Sequence, residues 1–582
     1  MGRRAAKQLV YACNNQMMRS FFQITATALV LLVFAAAPAS AEAVLARNGM
    51  VVSQEKRATE IGVEILKTGG NAVDAAVAVG FALAVTLPRA GNLGGGGFML
   101  VHLAKEKKTV AIDYRETAPA ATARDIFLDE KGAADPKKSR DSGLGVGVPG
   151  TVAGLALAHR RYGSDKFTLA ELIAPAIRLA REGVIVEDDL LDSLLLFELR
   201  LARWPSTAKI FLKPGGTAPI AGNTLIQSDL AASLETIARQ GPRAFYEGPI
   251  AQKMVAAVGS AGGLMTLDDL KQYRPVVRTP VRGSYRGHAI FSMPPPSSGG
   301  VHLIEMLNIL ERFDLHKLER ESPEALHLII EAMKFAYADR AEYLGDSDKI
   351  DVPVARLVSK SYAKKLAGRI DRARALAAAD IRPHSGAPGE GDNTTHFSVI
   401  DRFGNAVANT YTLNFNFGLG LVADGTGILL NNELDDFAAK PGAPNAFGLV
   451  GGAANAPAPG KRPLSSMSPT IVLRDDKPVL ITGAPGGSRI ITTVLQVFLN
   501  TIDWRMPIAD AVAAPRVHHQ WMPDEVVTEP GVPAETVRAL QARGHNVRAG
   551  RASGSANSIA VTPEGIAGAA DTRTRGALAK GY

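Results

Sequence analysis

The chain has 582 residues, of which 46% are apolar and 6% aromatic, and it carries a formal net charge of +8. The length predicts several modules or one large layered body, and the 57 glycines favour a core of closely packed small side chains. The positive charge is small and scattered, which excludes nucleic-acid binding as the main function.

Residues 1–41 have the features of a secretory signal. A basic start is followed by an apolar run over residues 24–37 and by Ala39-Ser40-Ala41, a small-x-small cleavage site. The run is shorter than the ~20 residues that a membrane-spanning helix needs, and an uncleaved anchor is the alternative. We predict a periplasmic or secreted protein with a Gram-negative-type signal, with Met17 or Met18 as alternative starts, and with no stable membrane anchor after signal cleavage.

Removal of this segment changes the charge and the thiol content of the chain. Four basic residues and no acid are lost, so the formal charge falls to +4. Cys13, the only cysteine, is lost as well. The mature protein is therefore predicted to contain no disulfide, no thiol nucleophile and no thiolate metal site.

Two helices are predicted before the first glycine cluster. Residues 55–67 have the pattern of an amphipathic helix. Asn71 is the predicted N-cap of a nearly all-apolar helix over residues 72–85, which is too short for a membrane span. The four glycines at 94–97 lack the helix context of a phosphate-binding loop, so we predict close backbone approach in a packed layer.

Residues 109–114 are predicted to form a strand that ends at Arg115. An arginine at a strand end is well placed to bind a carboxylate, and a surface ion pair is the alternative. The remaining helical predictions for this half of the chain are residues 150–290 for the most part, 301–312, 323–344, and an exposed helix over 361–379.

The most informative pattern follows residues 381–393, a Pro-, Gly- and Ser-rich stretch that is predicted to be a flexible linker. From residue 395 the sequence alternates with the period of a β-strand, and a turn is predicted to end at Gly404 in the left-handed conformation. Residues 406–414 are the predicted return strand. The register of such a hairpin places Thr394 opposite Thr412.

A threonine at this strand start, after a disposable linker, predicts a chain that is cut between Asn393 and Thr394. The cut frees an α-amine on the residue that carries the hydroxyl, so one residue supplies both nucleophile and general base. An ordinary strand start after a loop is the alternative from the hairpin alone.

Three acids follow a predicted buried strand near residue 430. Glu433, Asp435 and Asp436 have the chemistry of a Ca²⁺ loop, of a general acid/base pair, or of a cradle for a substrate ammonium group. The following loop, residues 440–462, is long enough to be a lid.

Gly486 and Gly487 precede a predicted helix that starts at residue 488. Their N–H groups have the placement needed to bind a developing oxyanion, and a plain strand-to-helix turn is the alternative. His518-His519 lacks the spacing of a helical metal pair and is predicted to be structural.

Together, these segments resemble the bacterial γ-glutamyltranspeptidases (glutathione hydrolases) over about residues 48–582. The segments that carry the resemblance are 69–76, 90–99, 115–119, 293–300, 394–414, 429–437, 461–469 and 483–490. The resemblance implies an α+β fold, the four-layer αββα sandwich of the N-terminal nucleophile hydrolases. It also implies a precursor that cuts itself into a large subunit, residues 42–393, and a small subunit, residues 394–582, which pair as a heterodimer.

The resemblance further implies a role for each candidate residue. Thr394 is the implied nucleophile, Thr412 its hydroxyl partner, and Gly486 and Gly487 the oxyanion hole. Six residues match the family's contacts to the charged ends of the substrate. Arg115, Ser465 and Ser466 match the contacts to the α-carboxylate, and Asn414, Glu433 and Asp436 match those to the α-ammonium.

The implied substrates are glutathione and other γ-glutamyl compounds, with water or an amino acid or dipeptide as acceptor, and no metal or other cofactor is implied. One position departs from the family, because Phe447 stands where the lid often carries a tyrosine. The rival functions are a glutaryl (cephalosporin-type) acylase and an uncleaved binding protein for γ-glutamyl compounds.

Overall fold

Two seven-stranded sheets form the centre of the computed structural model, which describes residues 43–382 and 393–582. The predicted signal, residues 1–41, and residues 383–392 of the predicted linker lie outside the described residues. The strands are β1 Val44–Ala46, β2 Met50–Ser53, β3 Gly96–Leu103, β4 Lys108–Asp113, β5 Val184–Ile185, β6 Thr224–Leu225, β7 Val276–Arg278, β8 Val281–Tyr285, β9 His288–Ser292, β10 Thr395–Ile400, β11 Ala406–Thr412, β12 Val422–Ala423, β13 Ile428–Leu429, β14 Thr470–Arg474, β15 Lys477–Thr482, β16 Val517–His518, β17 Val526–Thr528, β18 Val547–Ala549, β19 Ser558–Thr562, β20 Gly565–Ala569 and β21 Leu578–Gly581.

In neither sheet do the strands follow one another in the order in which they occur along the chain. One sheet has the order β1-β20-β19-β15-β14-β9-β8, and the other has the order β21-β2-β10-β11-β3-β4-β7. In both sheets, strands from before residue 393 lie beside strands from after it. A cut at that point would therefore leave two chains joined by strand pairing and by a shared core.

The described helices lie between these strands along the chain. They are Lys56–Lys67, Ala72–Thr86, Pro136–Arg140, Thr151–Tyr162, Leu169–Glu182, Asp188–Leu196, Glu198–Ala202, Pro205–Phe211, Ser228–Gln240, Arg243–Tyr246, Pro249–Ser260, Leu267–Gln272, Gly299–Leu310, Pro323–Tyr343, Val354–Leu357, Lys360–Ala367, Ala378–Ile381, Arg489–Ile502, Ile508–Ala513 and Ala534–Ala542. Within the described part of the chain, no helix combines the length and the apolar character that crossing a membrane requires.

The side chains sort into layers. Phe98, Ile471 and Ile481 belong to one core cluster, which fills the space between the two sheets. Phe397 and Val399 belong to another cluster, which joins the outer face of their sheet to helix Ala72–Thr86. Helices Gly299–Leu310 and Arg489–Ile502 contact the other sheet. The predicted αββα sandwich is thereby confirmed.

Local signals set the first helices as predicted. The Glu55 side chain caps helix Lys56–Lys67 by accepting a hydrogen bond from the backbone N of Ala58 at 2.9 Å. Asn71 and Asp74 form a reciprocal capping box on helix Ala72–Thr86. This helix is buried along its whole length, as a core helix should be.

The predicted hairpin is present in the predicted register. Thr395 pairs with Tyr411 and Ile400 with Ala406, so residue 394 lies one step beyond the Thr395–Tyr411 pair, next to Thr412. Gly404 closes the turn with a φ of +84°, and its N donates to the Asp401 carbonyl at 3.1 Å. β10 is buried on both faces. Its alternating residues form an apolar face, and a polar face that is covered by the second sheet.

The prediction that residues 150–290 are mostly helical is confirmed, and strands β7, β8 and β9 follow the last helix of this stretch. One helical prediction was wrong. Residues 361–379 do not form one helix, because helix Lys360–Ala367 ends and the chain continues in an irregular conformation as far as Ala378. Tertiary contacts fix that segment: the Lys334 Nζ donates to the Leu376 carbonyl at 2.8 Å. The first residues of the predicted linker are also ordered, since Ile381 ends a helix.

Candidate active site

Residues far apart in sequence line one cavity between the β10–β11 hairpin and the acidic turn. Ten predicted site residues line it: Arg115, Thr394, Thr412, Asn414, Glu433, Asp436, Phe447, Ser465, Ser466 and Gly487. Leu449, Met467 and Ile490 complete the lining. The structure therefore brings these residues together in one cavity, and their individual roles are proposals that the following contacts support.

Thr394 is buried just before β10, and the carbonyl of the preceding residue, Asn393, is fixed by a hydrogen bond. The N–H of Gly486, the remaining predicted site residue, donates to the carbonyl oxygen of Asn393 at 3.2 Å. Thr394 has a φ of +113°, which a β-branched residue rarely adopts. The Asn393–Thr394 peptide bond therefore combines a polarised carbonyl with a strained backbone.

The return strand supplies the next two residues. Thr412 Oγ1 accepts a hydrogen bond from the backbone N of Asn414 at 2.9 Å. Asn414 has a φ of +76°, which asparagine tolerates better than most residues, and its Nδ2 donates to the Asn432 carbonyl at 2.9 Å. This turn fixes the Asn414 side chain at the cavity wall.

Arg115 is the charged centre of the cavity. It is fully buried just after β4, and its guanidinium donates to Glu433 Oε1 and, at 2.5 Å, to Asp436 Oδ2. Its Nε donates to the Pro463 carbonyl at 3.2 Å. Of the two alternatives for Arg115, a surface ion pair is wrong, because the side chain is inside the protein.

The three acids of the turn Glu433–Asp436 do not act together. Asp435 points away from Arg115 and accepts hydrogen bonds from Ser139 Oγ at 2.5 Å and from Arg140 Nε at 3.2 Å. Glu433 and Asp436 face the guanidinium. Two carboxylates around one cation form a site whose surplus negative charge suits a ligand ammonium group.

Glu116 is a buried acid beside this cluster that the sequence analysis missed. Both of its carboxylate oxygens, and Oε2 of Glu433, are buried without a hydrogen-bond partner among the described residues. Burial, followed by the negative charge of Glu433, raises the pKa of Glu116 well above its usual range. A hydrogen bond from the protonated Glu116 carboxyl to Glu433 lowers the pKa of Glu433 and so favours its ionised form. The one signal for Glu116 in the sequence was its position next to Arg115, at the end of a predicted strand.

Ser465 and Ser466 are held by the helix and elbow behind them. The Ser465 backbone N donates to the Pro296 carbonyl at 2.9 Å, and Arg340 Nη2 donates to Ser466 Oγ at 3.3 Å. Burial lowers the pKa of Arg340 to about 10, and the charge of Asp436 opposes that effect. Arg340 lies in the last turn of helix Pro323–Tyr343, where no sequence signal distinguished it from a surface residue.

Phe447 covers the cavity from the loop over residues 440–462. Its ring stacks on Phe415, with centroids 5.5 Å apart and planes 11° apart. Its backbone N donates to Asn445 Oδ1 at 3.0 Å, and Asn445 Nδ2 reaches Asp436 Oδ1 at 3.4 Å. The loop is therefore connected to the acidic turn through Asn445.

A second cluster of potential metal ligands, His327, Glu331 and His545, lies in another part of the molecule. His327 Nε2 donates to the Asp371 carbonyl at 2.8 Å, so its Nδ1 is free of a proton and accepts from His545 Nε2 at 2.8 Å. Glu331 accepts from Lys334 Nζ at 2.8 Å. His327 Nδ1, His545 Nε2 and Glu331 Oε1, which face one another in this cluster, therefore already have hydrogen-bond partners within the protein.

The αββα sandwich has a buried threonine at the start of a central strand, and the carbonyl before this threonine accepts a hydrogen bond from Gly486. These features place the protein in the class of N-terminal nucleophile hydrolases. Comparison with known proteins narrows the class. Residues 58–581 match the family model Gamma-glutamyltranspeptidase, and the chain belongs to this family.

Individual relatives agree with this assignment. The chain is 53% identical over 542 residues to the glutathione hydrolase proenzyme of Escherichia coli (strain K12), with 93% of each chain covered. It is 47% identical over 510 residues to the glutathione hydrolase proenzyme of Pseudomonas sp. (strain A14), with 87% of each covered. The crystal structure of cephalosporin acylase from Bacillus halodurans matches with a TM-score of 0.82 at 29% identity, over 94% of this chain and 98% of that one.

Proposed function

We propose that this protein is a γ-glutamyltransferase and glutathione hydrolase that matures by cutting its own chain between Asn393 and Thr394. One observation carries the proposal. The predicted scissile carbonyl, that of Asn393, accepts a hydrogen bond from the N–H of Gly486. It lies beside a cavity whose charges complement the α-carboxylate and α-ammonium groups of a glutamyl donor. The relatives' names, glutathione hydrolase proenzyme, agree with both parts of it.

Maturation is the first reaction of the site. Thr394 Oγ1 attacks the Asn393 carbonyl carbon, and the N–H of Gly486 binds the oxyanion; a donor of this kind typically contributes ~3 kcal/mol to the transition state. The proton of the Thr394 hydroxyl passes to the peptide nitrogen, which leaves as the amine of Thr394. Water then hydrolyses the ester, which frees the Asn393 carboxylate and the Thr394 hydroxyl. Relief of the positive φ at Thr394 favours the products.

The free amine of Thr394 then serves as general base in catalysis. It takes the hydroxyl proton as Oγ1 attacks the γ-amide carbonyl of the donor, and it returns the proton to the departing amine. Cysteinylglycine leaves glutathione, and a γ-glutamyl ester remains on Thr394. Water resolves the ester in hydrolysis, and the amine of an amino acid or dipeptide resolves it in transfer.

Substrate recognition exchanges one set of charge pairs for another. In the free site Arg115 is paired with Glu433 and Asp436. The α-carboxylate of the donor binds Arg115, Ser465 and Ser466, and its α-ammonium binds the two acids and Asn414. Each buried charge thus keeps a partner, which an analogue lacking one charged end cannot provide.

The decisive experiment is an assay of purified protein with glutathione, with and without glycylglycine, together with a denaturing gel. We expect release of glutamate, a γ-glutamyl tripeptide when glycylglycine is present, and two fragments on the gel. A single full-length band with reversible glutathione binding would instead support the binding protein.

A glutaryl acylase is the second enzymatic candidate, and the likeness to a cephalosporin acylase supports testing it. A glutaryl group has no α-ammonium, so it would leave Glu433 and Asp436 without their ligand partner. We therefore expect γ-glutamyl amides to be cleaved much faster than glutaryl amides of the same amine.

The cellular assignment follows from the sequence. We propose that the protein acts in the periplasm or outside the cell, as the signal-like residues 1–41 indicate. The large and small subunits are proposed to remain together as a heterodimer, because strands of one pair with strands of the other in both sheets.

Replacement of Glu116 by leucine is expected to raise the KM for γ-glutamyl donors. Burial raises the pKa of Glu433, and Arg115 opposes this, so donor binding strengthens as the pH rises through that raised pKa. Loss of the Glu116 hydrogen bond raises the pKa of Glu433 further, so the fall of KM with rising pH moves to higher pH. The loss also costs about 1–3 kcal/mol of stability, because Glu433 Oε2 stays unpaired. KM measured against pH provides the test.

Glu116→Gln is the matched control. Its amide donates a hydrogen bond to Glu433 without adding a charge, so we expect a KM–pH profile close to that of the unmodified enzyme. Equal profiles for the leucine and glutamine variants would contradict the role given to this hydrogen bond.

A further inference from the structure

The structure describes not only the predicted scissile bond but also the side chain on its upstream side. Asn393 is 3% exposed. Its Nδ2 donates to the Arg89 carbonyl at 3.3 Å, and its Oδ1 accepts from Arg89 Nη1 at 3.4 Å. The Asn393 side chain therefore occupies a niche formed by Arg89, while its backbone carbonyl accepts a hydrogen bond from the N–H of Gly486.

This niche is separate from the lining of the glutamyl cavity. Arg89 and Asn393 are both described, and neither of them lines the cavity around Arg115. During acyl transfer the carbonyl carbon holds Thr394 Oγ1, the oxyanion, the glutamyl carbon and the amine nitrogen. In the uncut chain the glutamyl carbon's place on this carbon is taken by Asn393 Cα. The glutamyl chain of a donor extends toward Arg115 instead, in a cavity that Asn393 does not line, so the niche that Asn393 leaves is open to the amine side.

Arg89 is held in place by its neighbours, and only the Nη1 edge of its guanidinium faces weak acceptors. Asp189 binds its Nε at 2.6 Å, and the Arg89 carbonyl accepts from the Phe417 backbone N at 2.9 Å, so both the side chain and the backbone are fixed. Nη1 reaches two amide oxygens at long distance, Asn393 Oδ1 at 3.4 Å and Asn416 Oδ1 at 3.5 Å. A carboxylate is a stronger acceptor for this guanidinium edge than either neutral amide.

We propose that the niche of Arg89, which Asn393 fills before the chain is cut, becomes the acceptor site of the mature enzyme, with Arg89 binding the acceptor's carboxylate. This inference rests on the proposed function and specifies its acceptor class: amino acids and short peptides with a free carboxylate. It also applies to the leaving half of a γ-glutamyl peptide, which departs through the same side.

The chemistry of transfer is balanced without any further reagent. The acceptor's neutral amine forms a bond to the ester carbonyl carbon, and the bond from that carbon to Thr394 Oγ1 breaks. The proton lost by the amine passes through the α-amine of Thr394 to Oγ1. The products are a γ-glutamyl amide and the free Thr394 hydroxyl.

The first test needs no variant. With γ-glutamyl-p-nitroanilide as donor, the KM values of the unmodified enzyme are compared for glycylglycine and for glycylglycinamide, which differ only in the carboxylate. We expect glycylglycine to have a KM lower by about tenfold or more, as a charge-assisted hydrogen bond provides. Equal KM values in an enzyme that hydrolyses the donor would overturn the inference and leave the proposed function intact.

Arg89→Gln then tests the residue. The preference for glycylglycine over its amide is expected to fall by about tenfold or more, whereas Arg89→Lys, which keeps the charge, should retain part of it. Rates are normalised to the amount of small subunit on a gel, because Arg89 also contacts Asn393 in the uncut chain. A preference that survives in Arg89→Gln would contradict the assignment.

Arg286→Gln is the matched control, because Arg286 has the same kind of ion pair, 2.6 Å from its Nε to Asp503, and lines a different cavity. It should retain the carboxylate preference. An equal loss in this variant would attribute the effect to the overall charge of the protein and overturn the role of Arg89. Failure of the unmodified protein to hydrolyse any γ-glutamyl donor would instead refute the proposed function itself.

Discussion

Replacement of Thr394 by alanine should leave a folded, full-length chain without γ-glutamyl activity. The same hydroxyl has to attack the Asn393 carbonyl in maturation and the donor amide in catalysis, so a single substitution removes both reactions. The expected loss of activity is complete within detection. A denaturing gel and a glutathione assay on the same preparation measure the two effects.

The neighbouring threonine offers a matched control. Thr395 Oγ1 is buried without a hydrogen-bond partner in the described structure, so Thr395→Ala removes a hydroxyl one residue away and breaks no bond. This variant should be cut and active. Recovery of two subunits from Thr394→Ala would exclude Thr394 as the nucleophile of maturation.

The local parts of this fold were predictable from sequence. The β10–β11 hairpin follows from alternation and from a turn that ends at Gly404, and these signals involve neighbours in the chain. The glycines at 94–97 were also predictable as sites of close approach: a Cβ on Gly95 would lie 2.1 Å from the Thr412 carbonyl oxygen. Only a residue without a side chain fits there.

Contacts between distant segments were less accessible. The family resemblance assigned Arg115 to a substrate carboxylate and Glu433 to a substrate ammonium, and it said nothing about the free site, where the two bind each other. Glu116 and Arg340 were missed because burial in a charged cluster depends on what the rest of the chain places around them. The irregular segment before Ala378 was predicted to be helix for the same reason, since Lys334 and the backbone of Arg543 fix it from outside.

Asp436→Asn is expected to raise the KM for glutathione by about 10- to 150-fold. The substitution keeps the shape of the side chain and removes one of two charges that face the α-ammonium, and a hydrogen bond to a charged group contributes about 1.5–3 kcal/mol. The free energy of unfolding should change less, because Arg115 keeps its ion pair with Glu433 and an amide oxygen can still accept from its guanidinium. Steady-state kinetics and chemical denaturation of the same variant separate the two effects.

Asp435→Asn provides the comparison within the same turn. Asp435 bonds to Ser139 and Arg140 outside the cavity, so its replacement should lower stability and leave the KM for glutathione essentially unchanged. Glutaryl amides, which lack the ammonium, should become relatively better substrates for Asp436→Asn, since the acid that they leave unpaired is gone. If both variants had the same KM, the ammonium would not be recognised by Asp436, and the charge exchange proposed for this site would be wrong.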